Sequence, residues 1–183
     1  MKKYALALAA LAAAVSAQAA TISYSFNNAL GPMEISQTGS LGLFDSTLGT
    51  LTGISFTYGA GISGDITLTY GAPATGNANI RGTTNSDVFF TSTNSVINAL
   101  LNPVSLSYNT GFVNMAPGDT FVSPTLTDSD SATTGVGISA AMQAAGGGSF
   151  DVSCESLSGF GTTGGGGFAG GSQTTFGQCN ASI

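Results

Sequence analysis

The chain has no histidine and no tryptophan, and only three of its 183 residues are lysine or arginine. Without histidine, neither a Ser-His-Asp triad nor a Cys-His dyad can be assembled. Lys2 and Lys3 lie at the very start, so Arg81 is the sole basic side chain of everything that follows. That removes a lysine nucleophile from the body of the chain. It also excludes nucleic-acid binding, which neutralises phosphates with several Lys or Arg side chains, and charge-driven adhesion to an anionic membrane. Charged residues are 7% of the chain, against about a quarter in ordinary globular domains. The polar surface must therefore be made of Thr, Ser, Asn and Gly.

What is present begins with an export signal. Met1-Lys2-Lys3 is a short positive region, Tyr4 to Val15 is a small apolar run, and Ala17-Gln18-Ala19 is an A-x-A cleavage site. The order and spacing predict a secretory signal peptide over residues 1–19 and a mature chain starting at Ala20. The apolar run is shorter than the roughly 20 residues a bilayer span needs, so no membrane span is expected in the mature chain, which is placed outside the cytoplasm. Cleavage leaves Arg81 against nine carboxylates, a net charge of −8. The acidic residues are scattered, which favours solubility and selects no partner. Residues 20–183 suffice for one domain with a core. Twenty-seven glycines could signal disorder, but an apolar fraction of 42% argues for a folded chain.

Both cysteines, Cys154 and Cys179, fall in the mature part. In an oxidising compartment such a pair is expected to form one disulfide. There is no C-x-x-C spacing and no histidine to complete a redox or metal site.

Period-two alternation recurs along the chain. Ile22, Tyr24 and Phe26 alternate with Ser and Thr, as do Ile54, Phe56 and Tyr58, then Ile66, Leu68 and Tyr70, then Val104, Leu106 and Tyr108, then Phe150, Val152 and Cys154. Each run predicts a strand with one buried face and one Ser/Thr face. Shorter candidates are Met33–Thr38, Val88–Thr91, Thr120–Leu126 and Thr174–Ile183. Ile54–Ala60 recurs as Ile66–Ala72, which suggests two neighbouring antiparallel strands separated by glycines. Helical signal is limited to a turn capped by Asn94 ahead of Pro103 and another capped by Ser139 over Ala140–Ala145. Asp128–Thr134 is expected to be a polar loop and Gly159–Gly171 a low-complexity loop. The expected fold is all-β: a single antiparallel β-sandwich, jelly-roll-like, with one disulfide.

Few motifs carry chemistry. Gly159-Phe160-Gly161-Thr162-Thr163-Gly164 matches G-x-G-x-x-G, but the glycines that follow cannot open the helix a dinucleotide site requires. Paired carboxylates can hydrolyse a glycoside without histidine, yet nothing in the spacing singles out a pair. No catalytic residue and no cofactor is assigned, and an enzyme is not expected. Asp128 and Asp130, with Asp119 and Asp151 elsewhere, could offer oxygen ligands to calcium, although two solvated Asp in a turn are the simpler reading. Tyr58, Tyr70 and Tyr108 could make a sugar platform, but each continues the apolar side of its strand, which favours the core.

Phe44-Asp-Ser-Thr-Leu-Gly-Thr-Leu-Thr-Gly-Ile-Ser-Phe-Thr-Tyr58 resembles the signature stretch of choice-of-anchor E domains, exported bacterial domains carried on different surface-sorting signals, including the PEP-CTERM type. The likeness is looser over Ser23–Tyr70 and at Phe160–Gly164, and Gly71–Gly148 does not match. The resemblance implies a β-rich surface or secreted domain and supplies no catalytic residues. Members continue into a sorting motif, an apolar helix and a basic tail, whereas this sequence stops at Ile183. The resulting expectation is a secreted structural protein of a bacterial surface or extracellular matrix, partnered by copies of itself or by another surface protein. Thr21–Asn28, an alternating strand at a free terminus, either stays in its own sheet or adds to a neighbour's edge through Ile22, Tyr24 and Phe26. The alternative expectation is a surface carbohydrate- or calcium-binding module.

Overall fold

The structure, a computed structural model, describes residues 20–183; the expected signal segment 1–19 lies outside the described residues. In chain order the first strands are β1 (Ser25–Asn27), β2 (Gly31–Pro32), β3 (Ser36–Gly42), β4 (Phe44–Asp45), β5 (Ser55–Tyr70) and β6 (Ala78–Ser92). After a single helical turn, α1 (Ser95–Asn98), come β7 (Val104–Asn109), β8 (Val113–Met115), β9 (Thr120–Val122) and β10 (Leu126–Gly135). The short β11 (Gln143–Ala144) precedes two long strands, β12 (Ser149–Thr163) and β13 (Ala169–Ser182).

These strands form two antiparallel sheets packed face to face. One has the order β1-β13-β5-β10, with β2 also on β13 and β9 also on β5. The other has the order β3-β12-β6-β7, with β8 also on β6. β4 and β11 make a separate two-residue parallel pair. The alternation read from the sequence sets the layers. Phe56, Tyr58, Ile66 and Leu68 of β5 share the buried core with Ile80 and Val88 of β6, Leu106 of β7 and Val152 of β12. Each such side chain contributes about 1.5–3 kcal/mol by leaving water. Tyr58 stacks on Phe56 at 5.6 Å and meets Phe90 edge-on at 5.0 Å. Its hydroxyl accepts from the Asn102 amide at 2.9 Å, so the one polar atom of this ring is satisfied.

The disulfide joins Cys154 of β12 to Cys179 of β13, both 1% exposed. Those strands belong to different sheets, so the bond crosses the sandwich. The expected pairing is present, and its position makes it a tie between the two layers.

Several expectations are corrected. The runs expected at Ile54–Tyr58 and Ile66–Tyr70 are not two strands: Ser55 to Tyr70 is the single 16-residue β5, with Ile54 just before it. Gly59, Gly61 and Gly64 do not turn the chain, and none has a positive φ. They permit close approach instead: a Cβ on Gly64 would fall 2.0 Å from the Thr174 carbonyl oxygen, and one on Gly59 would fall 2.8 Å from that of Asp130. Asp128–Thr134 is not a loop but the heart of β10, held by a ladder to β5. Of Gly159–Gly171, only Gly164–Phe168 leaves the strands, with left-handed φ at Gly164, Gly165, Gly166 and Gly167. Asn94 does cap a helical turn, its Oδ1 accepting from Val96 and Ile97 amides, but the helix ends at Asn98. Ser139 makes no side-chain cap, and the turn after it is a three-residue 3₁₀ segment, Ala140–Met142.

Replacing both cysteines, Cys154→Ser with Cys179→Ser, is expected to lower stability by about 3–4 kcal/mol, the chain-entropy value for a loop of this length. Urea unfolding checks this: the midpoint should fall while the fold signature by circular dichroism is retained.

Candidate assembly edge

The sequence singles out Thr21–Asn28, and the structure places Ser25–Asn27 at the outer edge of the first sheet. Ser25, Phe26 and Asn27 pair with Ser182, Ala181 and Asn180 of β13. Tyr24 extends the ladder, exchanging both backbone bonds with Ile183 at 2.9 Å, and the Asn28 amide donates to the Cys179 carbonyl at 3.0 Å. Because Tyr24 and Ile183 bond reciprocally, antiparallel alternation points the backbone groups of Ser25 outward, away from β13. The strand therefore lies in its own sheet and presents a short free edge.

Of Ile22, Tyr24 and Phe26, the structure brings only the last two into the sheet. Ile22 lies outside the strand and is 40% exposed. The expected span of Thr21–Asn28 is thus too long: the strand is Ser25–Asn27, extended by the backbone bonds of Tyr24 and Asn28. Phe26 and Tyr24 turn inward over β3 of the other sheet. A Cβ on Gly39 would overlap the Phe26 ring, and one on Gly42 would overlap the Tyr24 ring. The two glycines are sockets for two aromatic knobs, a role invisible in a pattern of alternating hydrophobicity.

Beyond Asn27 the edge is bulged. Asn27 faces Asn180 while Gly31 faces Gly177, so three residues on this strand oppose two on β13. Gln37 spans the irregularity. Its Nε2 donates to the Ala29 carbonyl at 2.8 Å, and its Oε1 accepts from the Cys179 amide at 3.1 Å. Ile22, Tyr24, Phe44, Leu51, Ile54 and Ile183 line an apolar cleft of about 310 Å³ beside the strand. Next to Phe44 in the chain, Asp45 organises the following turn, its Oδ1 accepting from the Thr47 hydroxyl at 2.7 Å and the amides of Thr47 and Gly146 at 2.9 and 2.8 Å. These donors, the Thr47 hydroxyl foremost, hold the Asp45 carboxyl below its usual value.

Asp128 and Asp130 stand on the opposite edge of this sheet, in β10. Asp128 accepts from the Ser129 amide at 2.9 Å and, through its other oxygen, from Ser107 of β7 at 2.7 Å. Asp130 accepts from the Ser131 amide at 2.7 Å. Both carboxylates are engaged with backbone donors, and no group of three or more His, Cys, Asp or Glu gathers among the described residues. Tyr58, Tyr70 and Tyr108 are buried at 2%, 6% and 5% exposure, which removes them as a sugar platform. No helix among the described residues is long and apolar enough to cross a membrane.

Neither a family model nor a curated protein matches the chain. Among solved structures, a chain of the T13 IBDV viral particle is 9% identical over 88% of this chain and 39% of that one, with a TM-score of 0.19. This chain thus spans about two fifths of the length of that neighbour, and the likeness is too slight to bear on fold or function.

Gly39→Val is expected to expel the Phe26 ring and free residues 24–28 without unfolding the sandwich. Amide exchange would show loss of protection confined to the first strand and its β13 partners. The Asp45 contribution has a defined sign. A carboxyl depressed in the folded state stabilises fully above its unfolded value and stops doing so as pH falls through its folded value. Protection of the Thr47 and Gly146 amides should therefore hold at neutral pH and drop once pH passes below the ordinary carboxylate range, and Asp45→Asn should abolish that pH dependence.

Proposed function

We propose that this protein is a secreted structural subunit of a bacterial surface coat or extracellular matrix, and that it polymerises by exchanging its N-terminal strand between copies. The observation that carries this reading is the docking of Tyr24–Asn28. It is a terminal segment, paired on one side only, whose affinity comes from a backbone ladder and whose specificity comes from two aromatic rings over Gly39 and Gly42. The same ladder and sockets accept the strand of a neighbour without any new surface. Repeated head to tail, the contact does not close and yields a filament. Cys154–Cys179 supports the reading because it ties the two sheets together whether or not β1 is in place. The predicted export signal and the resemblance to choice-of-anchor E domains support the extracellular setting.

The test uses a lock. Ser25 and Ser182 face each other at a pair whose flanking residues carry the backbone bonds, the geometry in which side chains come closest. Residues 20–183 with both native serines are expected to form filaments visible by electron microscopy. The oxidised Ser25→Cys/Ser182→Cys variant should remain a monomer by size exclusion, and so should a chain lacking residues 20–28. A monodisperse monomer from the unlocked protein at high concentration, with no fibres on expressing cells, overturns the proposal.

A further inference from the structure

The second sheet carries an unexplained cluster on its outer face, remote in the topology from the N-terminal strand. It is built on Arg81, the one basic side chain of residues 20–183. The guanidinium carbon lies 5.1 Å from the centroid of the Phe112 ring, and its Nε is buried with no hydrogen-bond partner. Phe112 itself is 61% exposed. Gly111, at φ 68°, makes the turn that presents it, and the Gly111 amide donates to Asn109 Oδ1 at 2.9 Å.

Beside this ring runs a chain of three exposed amides. Asn77 Nδ2 donates to Asn114 Oδ1 at 3.2 Å, and Asn114 Nδ2 donates to Asn79 Oδ1 at 3.1 Å. An Asn side chain offers two donors and two acceptor lone pairs, so each of the three retains capacity facing solvent. The bonds between them fix their orientation in advance, and the cation beneath Phe112 fixes the ring.

We propose that Phe112, Arg81 and the Asn77–Asn114–Asn79 chain form a binding site for a neutral polysaccharide. A pyranose ring has an apolar C–H face, which the exposed side of Phe112 matches, and a rim of hydroxyls, which donate to and accept from amides. The net charge of −8 selects a neutral chain over a polyanion, which the protein's field repels. The site does not depend on strand exchange. If copies do assemble, each presents one such site and weak single contacts combine into avidity.

Affinity electrophoresis of residues 20–183 tests this in gels containing neutral polysaccharides (glucan, glucomannan, galactan) or uronate-bearing ones (pectate, alginate). Retardation by at least one neutral polysaccharide is expected, weakened by about tenfold or more in Phe112→Ala, equivalent to the loss of roughly 1.4 kcal/mol. Asn114→Ala should weaken it as well, since it breaks the amide chain at its centre. Phe112 is exposed, so circular dichroism of Phe112→Ala should match the parent. Deleting residues 20–28 should leave retardation of the monomer unchanged, which separates this site from the edge strand. Absence of retardation in every gel, retardation by uronates alone, or full retardation of Phe112→Ala overturns the proposal.

Discussion

The ladder between β5 and β13 runs for fourteen residue pairs, and most of the molecule is attached to it. On its far side β5 carries β10 and β9; on its far side β13 carries β1 and β2. Through Cys179, β13 also reaches the second sheet. Two strands this long twist, and a twisted ladder packed against a second sheet cannot hold a side chain at every inward position. Gly64 and Gly171 lie where it comes close to the second sheet: a Cβ on Gly64 would sit 2.7 Å from the Tyr108 hydroxyl, and one on Gly171 would sit 3.0 Å from the Phe160 ring. The glycine content that looks like looseness in the composition is in part a packing requirement of this ladder.

A sheet has two edges, and a chain this poor in lysine cannot guard them in the usual way. The β10 edge is covered by its own side chains. Each Asp of Asp128-Ser129-Asp130-Ser131 takes the amide of the following serine, and Asp128 also takes the Ser107 amide of the other sheet. The Ser129 and Ser131 amides are thereby occupied, and two carboxylates stand on that edge. The β1 edge is handled by brevity, by a bulge, and by Pro32, which has no amide to offer. The two edges are unequal: one carries two carboxylates, and the other is a short strand bonded along one side.

The architecture was legible because period two survives composition bias. The alternating runs at Ile54–Tyr58, Ile66–Tyr70, Val104–Tyr108 and Phe150–Cys154 place their apolar members in the core, with Ile54 at its margin. The disulfide followed from compartment and count. Strand ends were not legible, because glycine has two meanings. At Gly164–Gly167 it adopts left-handed φ and turns the chain; at Gly59, Gly61 and Gly64 it stays extended within β5. Only contact with another strand separates the two cases. Asp128–Thr134 misled for a related reason: a polar run signals a loop unless its side chains bond the strand that carries them. The sockets at Gly39 and Gly42 left no trace in the pattern, since nothing local shows that Phe26 and Tyr24 will arrive from the other sheet.

The energetics of the proposed exchange follow from the docking of the first strand. A strand seated in its own domain and one seated in a neighbour make the same backbone bonds and place the same two rings over Gly39 and Gly42. Those contacts cancel between closed monomer and filament, and what remains is small in comparison: the translational freedom lost on association and any strain in the Asn28–Leu30 connection relieved when the strand extends. Concentration then sets the balance, together with the kinetic barrier to withdrawing the partly buried Phe26 ring and the exposed Tyr24 ring from their places over β3. A short segment bonded along one side has a lower barrier than any central strand, because fewer ladder bonds break before it is free. Exchange at β5 or β13 would dismantle the core, whereas exchange at β1 leaves the remaining ladder and the Cys154–Cys179 tie intact.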